Sequence, residues 1–487
     1  MPVPANPILR GMHPDPSLCR VDGTYYLATS TFEYLPGIPI HTSTDLVEWT
    51  LAGHAVHSAA QFDFSGVGDS RGMFAPTIRH HDGLFYVACT QMDGGEVSGN
   101  FYVTAADVAG PWSAPVLLPE AAGIDPSMFF HDGRAWWVGC REVAERSFDG
   151  ETEVWLRELD LERGEFVGPE TVIWKRTQYR AVWAEGPHLY HRDGWFYLLT
   201  AEGGTAFEHS VMIARSRDLT GPYLPCPRNP VLTHRHLGHG AEVQVVGHGE
   251  LFEGDPDEWW MVVLATRPIE GHTILGRETH LARVDWEDGW PVVNPGRGVL
   301  DPPVARPDRR GSTGVPAISD FLSVRGFAGF ADQRPGGVTL RATGAGFGSN
   351  APVAALLRRV TSTECDLTVE LDGPDADAVA GLILRQSDDV HVRVEWTGDV
   401  ARLIVRDRTD TVLRELALDR GPALLSARID REGVAWSAGG RELGRTALGM
   451  LSTETAGGFV GTTFGPYVTG PAETSVRFVS WQQVDRS

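Results

Sequence analysis

The sequence predicts an all-β protein, a five-bladed β-propeller followed by a C-terminal β-sandwich, on two observations. One phrase recurs five times in the first 270 residues: an acidic residue or a small substitute, an apolar run, a turn and then aromatic residues. From about residue 320 this phrase gives way to short strands in which apolar and polar residues alternate. Repeats of this length are typical of radial arrays with one four-stranded sheet per copy.

The five copies define the five blades in order. Their first residues are at positions 15, 75, 125, 185 and 241, so successive copies start 60, 50, 60 and 56 residues apart. Each copy reads as two strands joined by a hairpin turn, and the fifth is the most diverged. In a propeller the equivalent position of every repeat faces the same central axis. The first residues of all five copies are therefore expected to lie close together.

The second domain begins after a change in composition. The propeller pattern fades after residue 291, and residues 294–319 are rich in Pro, Gly and Arg, which is typical of a linker. Segments such as Cys365–Leu371 then alternate in the way that sandwich strands do. We predict a propeller over residues 1–305, a linker over 306–319 and a sandwich over 320–487.

Composition restricts the partners. A chain of 487 residues with 22% charged and 42% hydrophobic residues is long enough for two or three domains with ordinary cores. Its net charge of −22 disfavours nucleic acid and anionic membranes, because phosphates would be repelled. A neutral oligosaccharide is the favoured partner, and a homo-oligomer is left open.

The start of the chain predicts a cytoplasmic protein. Met1–Pro7 runs directly into the first repeat, without the basic start and apolar stretch of a signal peptide. The five cysteines are scattered and odd in number, so they indicate neither a disulfide framework nor a thiolate metal site. No apolar run approaches the roughly 18 residues of a spanning helix.

Three of the five leading positions carry carboxyl groups: Asp15, Asp125 and Glu185. Taken singly, an Asp before Pro or a Glu before Gly fits an ordinary turn or capping role. Carboxylates gathered on one axis weaken the fold by mutual repulsion, however, and their shared phase, beside Ala75 and Ala241, indicates chemistry. Aromatic residues flank these phrases, and rings beside carboxyl groups suit a sugar with apolar C–H faces and polar hydroxyls.

Six segments together resemble glycoside hydrolase family 43, in its β-xylosidase and α-L-arabinofuranosidase branch. The resemblance is dense from Asn6 to about Pro295. The segments that carry it are Asn6–Ser17, Ala28–Gly37, Gly123–Ser127, Ala184–Tyr190, Thr200–Thr205 and Leu275–Thr279.

The resemblance implies an inverting mechanism and a role for each carboxyl group. Asp15 would be the general base that activates water, and Glu185 the general acid that protonates the leaving oxygen. Asp125 would orient Glu185 and keep its pKa high. Inverting hydrolases need about 6.5 to 9.5 Å between acid and base, so that a water molecule fits between the base and the sugar.

The same resemblance implies further substrate-binding residues. Arg277 would bond to sugar hydroxyls and to the catalytic carboxylates, while Thr205, Phe32 and Phe74 would line the sugar pocket. The family usually places Trp at position 74. The smaller ring leaves the preferred sugar open.

A histidine cluster, His234-x-His236-x-x-His239, resembles a metal site. Loop histidines are usually solvated or hydrogen-bonded, and we interpret His234 and His236 in this way. His239 lies just before the fifth leading position and matches the family's axial histidine. We expect it to bind the sugar, or to approach a calcium ion on the axis through water, although hard cations prefer oxygen ligands. The chemistry itself is expected to require no cofactor.

The sandwich resembles the C-terminal module of these β-xylosidases more weakly. It could be a carbohydrate-binding module, a structural support or part of the pocket rim. In the relatives a loop of this domain closes one side of the pocket, and Thr462–Gly470, with Phe464 and Tyr467, is the best candidate here. A closed pocket implies exo action on short oligosaccharides.

The leading hypothesis is an inverting exo-glycosidase that releases xylose from the non-reducing ends of β-1,4-xylo-oligosaccharides. An α-L-arabinofuranosidase would use the same three carboxyl groups and is the close alternative. A non-catalytic carbohydrate-binding propeller is a distant alternative, since all three carboxyl groups are present. A retaining fructosidase would be expected to carry Arg where this chain has Ile124.

One motif points to different chemistry. Gly68-Asp69-Ser70-Arg71-Gly72 matches the nucleophile elbow of serine hydrolases. That motif needs a strand before it and a helix after it, and here a strand start follows. We therefore predict no nucleophilic role for Ser70.

Overall fold

The computed structural model describes residues 5–93, 98–304, 318, 321–373, 377–419, 421–472 and 474–486. These residues are nearly all β, which confirms the predicted fold class. Helical segments are short, among them the single turn α1 (Thr453–Ala456) and the 3-10 turns Arg235–Leu237 and Leu448–Leu451. In the part of the chain that is described, no helix has the length and apolar character that crossing a membrane requires.

The first domain folds into five antiparallel sheets, and each sheet contains one copy of the repeat. Blade 1 contains β1 (Ser17–Val21), β2 (Thr24–Ala28), β4 (Gly37–Ser43) and β5 (Thr50–Val56). Blade 2 contains β6 (Gly72–Met73), β7 (Thr77–His81), β8 (Leu84–Met92), β9 (Gly99–Ala105) and β10 (Val116–Leu117). Blade 3 contains β11 (Ile124–His131), β12 (Arg134–Glu142), β13 (Thr152–Asp160) and β14 (Glu165–Trp174). Blade 4 contains β15 (Glu185–Arg192), β16 (Trp195–Glu202), β17 (Ser210–Ser216) and β18 (Leu224–Pro225). Blade 5 contains β19 (Gln244–Glu253), β20 (Trp259–Thr266), β21 (Arg277–Glu287) and β22 (Trp290–Val293).

The hairpin turns explain why the repeat contains Asp-Gly. In blade 1, Asp22 and Gly23 have φ angles of 48° and 83°, and in blade 3, Asp132 and Gly133 have φ angles of 49° and 70°. A two-residue hairpin of this type requires positive φ at both positions, which Asp and Gly tolerate better than most residues. The turn chemistry therefore sets the register of the first two strands in these blades.

The second domain is a sandwich of two seven-stranded sheets. One sheet has the order β24 (Ala331–Arg334), β25 (Gly337–Arg341), β37 (Ser475–Asp485), β28 (Cys365–Leu371), β33 (Ala423–Asp430), β34 (Gly433–Ala438) and β35 (Arg441–Thr446). The other has β26 (Ala354–Ala355), β36 (Thr463–Thr469), β29 (Val379–Arg385), β30 (Val390–Trp396), β31 (Val400–Asp407) and β32 (Thr409–Ala417), and β27 (Arg358–Arg359) also pairs with β36. The core of the sandwich includes the buried Trp396, Trp436 and Trp481.

The two domains share structure across their boundary. The propeller strand β3 (Tyr34–Leu35) pairs with β23 (Ser323–Val324), which leads into the sandwich. A buried apolar cluster contains side chains of both domains, among them Phe32, Tyr34, Phe74, Leu322, Val324, Ile383 and Tyr467. Of the predicted linker 306–319, only Ile318 lies within the described residues.

Candidate active site

A pocket on the propeller axis collects residues from all five blades and from the sandwich. The pocket opens to solvent, and its space, counted to include the open mouth, amounts to about 390 Å³. It is lined by Asp15, Phe32, Phe74, Ala75, Ile124, Asp125, Glu185, Thr205, His248, Arg277 and Phe459. Seven of the nine predicted site residues are in this set, and the exceptions are His239 and Phe464.

Local backbone geometry turns the leading carboxyl groups out of the regular sheet pattern. Asp15 and Asp125 have φ angles of 54° and 52°, in the left-handed region that non-glycine residues seldom adopt. At the third carboxyl group, Glu185, the residue with a positive φ is its neighbour Gly186, at 56°. The pairing of β11 and of β15 with the next strand shifts register at these positions, as at a β-bulge. Bulges redirect side chains, and strained backbone of this kind is concentrated at functional sites.

Asp15 is surrounded by donors. Arg277 Nη1 donates to Asp15 Oδ1 at 2.8 Å, and Ser30 Oγ donates to Asp15 Oδ2 at 2.6 Å. His248 Nδ1 lies 3.8 Å from Asp15 Oδ1. Burial opposes ionisation of this carboxyl group, but Arg277, His248 and the Ser30 bond together hold its pKa below the usual value. Asp15 is therefore ionised at neutral pH.

Glu185 has the opposite character. Burial raises the pKa of Glu185 well above its usual value, and the neighbouring charges of Asp125 and Asp15 raise it further. Asp125 accepts a hydrogen bond from Gly186 N at 3.1 Å, and burial raises its pKa as well. Ionisation is thus favoured at one carboxyl group of the pocket and disfavoured at another, which is how acid and base roles are divided within one site.

An aromatic wall stands beside these groups. The ring centroid of Phe32 lies 5.6 Å from that of Phe74 and 5.9 Å from that of Phe459, and Phe74 lies 6.0 Å from Phe459. The Arg277 guanidinium carbon lies 5.6 Å from the Phe32 centroid and 5.4 Å from the Phe459 centroid. Such a wall can pack against apolar C–H faces of a ligand while the carboxyl groups bind its hydroxyls.

The prediction for His239 is wrong. This residue is exposed at the surface, where it stacks on Phe207 with ring centroids 3.9 Å apart. The fifth blade instead contributes His248, which is buried and lies in the bulged part of β19. Both residues are the centre of a Gly-His-Gly tripeptide, so this tripeptide alone does not distinguish His239 from His248.

The other histidines of the cluster have structural surroundings. His234 Nδ1 lies 2.8 Å from Val243 O, and His234 Nε2 accepts a hydrogen bond from Leu300 N at 2.9 Å. His236 is exposed. Among the described residues, no group of three or more His, Cys, Asp or Glu side chains is arranged to hold a metal ion.

The prediction for Phe464 is wrong by five residues. Thr463–Thr469 is strand β36, and Phe464 is buried in the sandwich core, while Tyr467 lies in the cluster shared by the domains. The sandwich residue at the pocket is Phe459, in the loop 457–462 that precedes this strand. Its position after Gly457-Gly458 is the sequence signal that could have found it, since paired glycines mark a loop.

The loop 457–462 is hydrogen-bonded to the propeller beside the pocket. Arg277 Nη2 donates to Phe459 O at 3.3 Å, and Thr462 N donates to Ile274 O at 2.8 Å. Arg277 Nη1 also donates to Thr205 Oγ1 at 3.3 Å. Arg277 therefore joins the ionised carboxyl group, the aromatic wall and a hydroxyl of the pocket.

One carboxyl group with a lowered pKa and another with a raised pKa, beside an aromatic wall, are the chemistry that a glycoside hydrolase needs. Comparison with protein families agrees. The model of the glycosyl hydrolases family 43 matches residues 4–291, and that of the β-xylosidase C-terminal concanavalin A-like domain matches residues 328–483. This chain belongs to glycoside hydrolase family 43.

Similar proteins cover both domains. A xylosidase/arabinosidase of Butyrivibrio fibrisolvens is 36% identical, with 99% of this chain and 98% of the relative aligned. A non-reducing end α-L-arabinofuranosidase of Bacteroides ovatus is 34% identical, over 96% of this chain and 92% of its own length. The crystal structure of a xylan β-1,4-xylosidase from Bacillus halodurans has a TM-score of 0.88 at 30% identity, covering 99% of this chain and 100% of that one.

Proposed function

We propose that this chain is an inverting, exo-acting glycosidase that releases xylose from the non-reducing ends of β-1,4-xylo-oligosaccharides. The observation that carries the proposal is the opposite shift of two pKa values in one pocket, with Asp15 lowered and Glu185 raised. The names of the relatives support xylosides and arabinofuranosides as the substrate class.

In this mechanism Glu185 is the general acid. Its raised pKa favours the protonated form, and it gives this proton to the glycosidic oxygen as the bond from that oxygen to the anomeric carbon breaks. Asp15 is the general base, which takes a proton from the water that attacks the opposite face of the anomeric carbon. The products are two free sugars, and the carboxyl groups exchange protons with solvent to return to their starting states.

Asp125 and Arg277 act on these two groups. The Asp125 charge near Glu185 disfavours ionisation of the acid, which keeps it protonated between turnovers. Arg277 holds Asp15 in place and keeps it ionised. Both side chains also face the pocket, where they can bind sugar hydroxyls.

The exo character is supported by the position of Phe459. Because the sandwich contributes this residue to a pocket otherwise built by the propeller, that side of the pocket is closed by a second domain. A pocket closed on one side favours binding of a chain end over the middle of a polymer.

An α-L-arabinofuranosidase is the second candidate. It is favoured by the Bacteroides ovatus relative, whose name specifies that activity. Both candidates use the same acid, base and aromatic wall, so the choice depends on the shape of the pocket around the sugar.

The test compares p-nitrophenyl β-xyloside, p-nitrophenyl α-L-arabinofuranoside and xylobiose. We expect hydrolysis of the xyloside and of xylobiose, with a kcat/KM for the xyloside at least as high as for the arabinofuranoside. Hydrolysis of the arabinofuranoside alone would favour the second candidate. Turnover of none of the three would contradict the proposal. NMR of the first sugar formed from xylobiose should show α-xylose, the inverted anomer.

A further inference from the structure

A set of five ionisable side chains lies between the two domains, four of them buried and the fifth, Asp69, partly exposed. The guanidinium groups of Arg325 and Arg385 are fully buried, and so is the carboxyl group of Glu33. We call the set the interdomain ion network, and it consists of Glu33 and Asp69 from the propeller and Arg325, Arg385 and Asp388 from the sandwich side.

Its bonds cross the boundary repeatedly. Arg385 Nη1 donates to Glu33 Oε1 at 3.0 Å, and Arg385 Nη2 donates to Asp69. Arg325 Nη2 donates to Asp69 Oδ1 at 2.8 Å, and Asp388 N donates to Asp69 Oδ2 at 2.8 Å. Asp388 in turn accepts from Arg325 Nη1 at 2.9 Å and from Arg385 Nε at 3.1 Å. The network therefore fixes one orientation of the sandwich against the propeller.

Stability alone does not explain such a network. Removing charged groups from water is expensive, and well-packed apolar residues often replace buried ion pairs with no loss of stability. The boundary already has a shared apolar cluster that includes Phe32, Tyr34 and Tyr467. Apolar contacts tolerate small shifts, whereas hydrogen-bonded charges impose direction. Directional bonds are useful where a side chain must be held at a set position.

The network leads to the pocket through Ser70. Ser70 N donates to Glu33 Oε2 at 3.0 Å, and Ser70 Oγ accepts a hydrogen bond from Phe459 N at 2.8 Å. Ser70 has a φ of 57°, so its backbone is in the left-handed region, and its side chain lies so close to Gly458 that a Cβ there would clash with it. The motif that resembled a nucleophile elbow thus lies beside the loop 457–462.

We propose that Ser70 and the interdomain ion network are positioning residues, which hold the Phe459 ring in the aromatic wall of the pocket. The path runs from Arg385 through Glu33 and Ser70 to the backbone of Phe459. The proposal rests on the proposed function for its assay. It assigns to Asp69 and Ser70 a role in shaping the wall, with no bond to the substrate.

The test is a double-mutant cycle in the full-length chain with Ser70→Ala and Phe459→Ala, measured as kcat/KM on the better p-nitrophenyl glycoside. Loss of one hydrogen bond should lower kcat/KM about 2- to 10-fold in the wild-type background. If Ser70 acts through the Phe459 ring, Ser70→Ala should have a smaller effect in the Phe459→Ala background. Expressed as free energy, at most half of the loss seen in the wild-type background should remain there. A larger remainder, or no loss in the wild-type background, would overturn the proposal.

A second pair of variants tests the network itself. Like Ser70→Ala, Asp388→Asn should lower kcat/KM in the wild-type background. Its effect should likewise shrink to half or less, as free energy, in the Phe459→Ala background. Asp410→Asn is the matched control, because Asp410 accepts from Arg393 Nη2 at 2.6 Å within the sandwich sheet. It should lower the melting temperature and leave kcat/KM unchanged. Equal effects of Asp388→Asn and Asp410→Asn on kcat/KM would reduce the network to a structural role and overturn the proposal.

A readout independent of activity separates this proposal from the proposed function. In a crystal structure of Ser70→Ala we expect the Phe459 ring to move from its place 5.9 Å from Phe32. An unmoved ring would overturn the proposal whatever the substrate is. Failure of the wild-type chain to hydrolyse either p-nitrophenyl glycoside would instead count against the proposed function alone.

Discussion

At the scale of single residues, the site works because similar groups have different surroundings. Asp15 and Glu185 are both carboxylic acids on one propeller axis, and burial raises the pKa of each. For Asp15 this effect is reversed by Arg277, which donates to it directly, together with His248 and the Ser30 bond. Glu185 instead experiences the charge of Asp125. The donors around Asp15 therefore decide at which of the two carboxyl groups ionisation is favoured.

Replacing either group should remove catalysis and leave folding intact. We expect Asp15→Asn and Glu185→Gln each to lower kcat on xylobiose by about 10²- to 10⁴-fold, the usual contribution of a general acid or base. Steady-state kinetics with circular dichroism as the folding check would measure this. Near-normal turnover of xylobiose by either variant would show that its role is wrongly assigned.

The leaving group distinguishes acid from base. Aryl xylosides with low-pKa phenols need little proton donation, so they should partly rescue Glu185→Gln and leave Asp15→Asn inactive. Equal rescue of both variants would contradict the division of roles.

The pKa shifts predict the pH profile of kcat/KM. Asp15 must be ionised, and its lowered pKa extends activity to more acidic pH than an ordinary Asp would permit. Glu185 must be protonated, and its raised pKa keeps activity present above the usual titration range of Glu, to be lost as pH rises through the raised value. We expect a bell-shaped profile. On an aryl xyloside, Glu185→Gln should lose the alkaline limb, and persistence of that limb would assign it to another group.

The sequence was sufficient to predict the site residues that occupy the leading position of the repeat. Asp15, Asp125 and Glu185 share a phase, and a propeller brings equal phases together, so their convergence in the pocket followed from the spacing. His248 was not predicted because two Gly-His-Gly tripeptides lie nine residues apart, at 239 just before the most diverged repeat and at 248 within it. Only the bulged register of β19 decides between them.

At the scale of elements, the hairpins and the loop 457–462 differ in how far local chemistry specifies them. Asp-Gly turns fix a hairpin within two residues, so the blades were predictable. The loop 457–462 takes its position from contacts with distant parts of the chain, such as Thr462 with Ile274 and Phe459 with Ser70. No local pattern contains those contacts, and the prediction therefore fell on the neighbouring strand β36.

Two phenylalanines near this boundary should respond differently to truncation. Phe459→Ala removes part of the pocket wall, and we expect kcat/KM on xylobiose to fall roughly 5- to 150-fold, equivalent to about 1 to 3 kcal/mol of lost burial. Its melting temperature should change little because Phe459 is only half-buried.

Phe464→Ala is the matched control from the sandwich core. It should reduce the free energy of unfolding by about 3 to 5 kcal/mol, as a large cavity does. At temperatures where the variant is folded, its kcat/KM should match that of the wild type. The reverse pattern, with Phe464→Ala impairing catalysis and Phe459→Ala impairing only stability, would show that Phe464 and not Phe459 lines the pocket.

At the scale of the whole molecule, the second domain completes the site of the first. Sequence patterns indicate each domain separately, but the pairing of charges across the boundary depends on residues more than 300 positions apart, as with Glu33 and Arg385. Such pairs follow from the final packing and from no periodicity in either domain. The interdomain ion network was for this reason beyond sequence-based prediction, whereas the two-domain organisation was not.

The shared boundary predicts that both domains unfold together. β3 pairs with β23, a buried apolar cluster spans both domains, and the interdomain ion network bridges them, so unfolding of one domain would expose apolar and charged groups of the other. In differential scanning calorimetry of the full-length chain we expect one transition. A competitive sugar ligand at 100 times its Kd should stabilise the folded state by about 2.7 kcal/mol and move that whole transition upwards. Two transitions, of which only one shifts with the sugar, would show that the domains are independent and that the sandwich lends the pocket little of its stability.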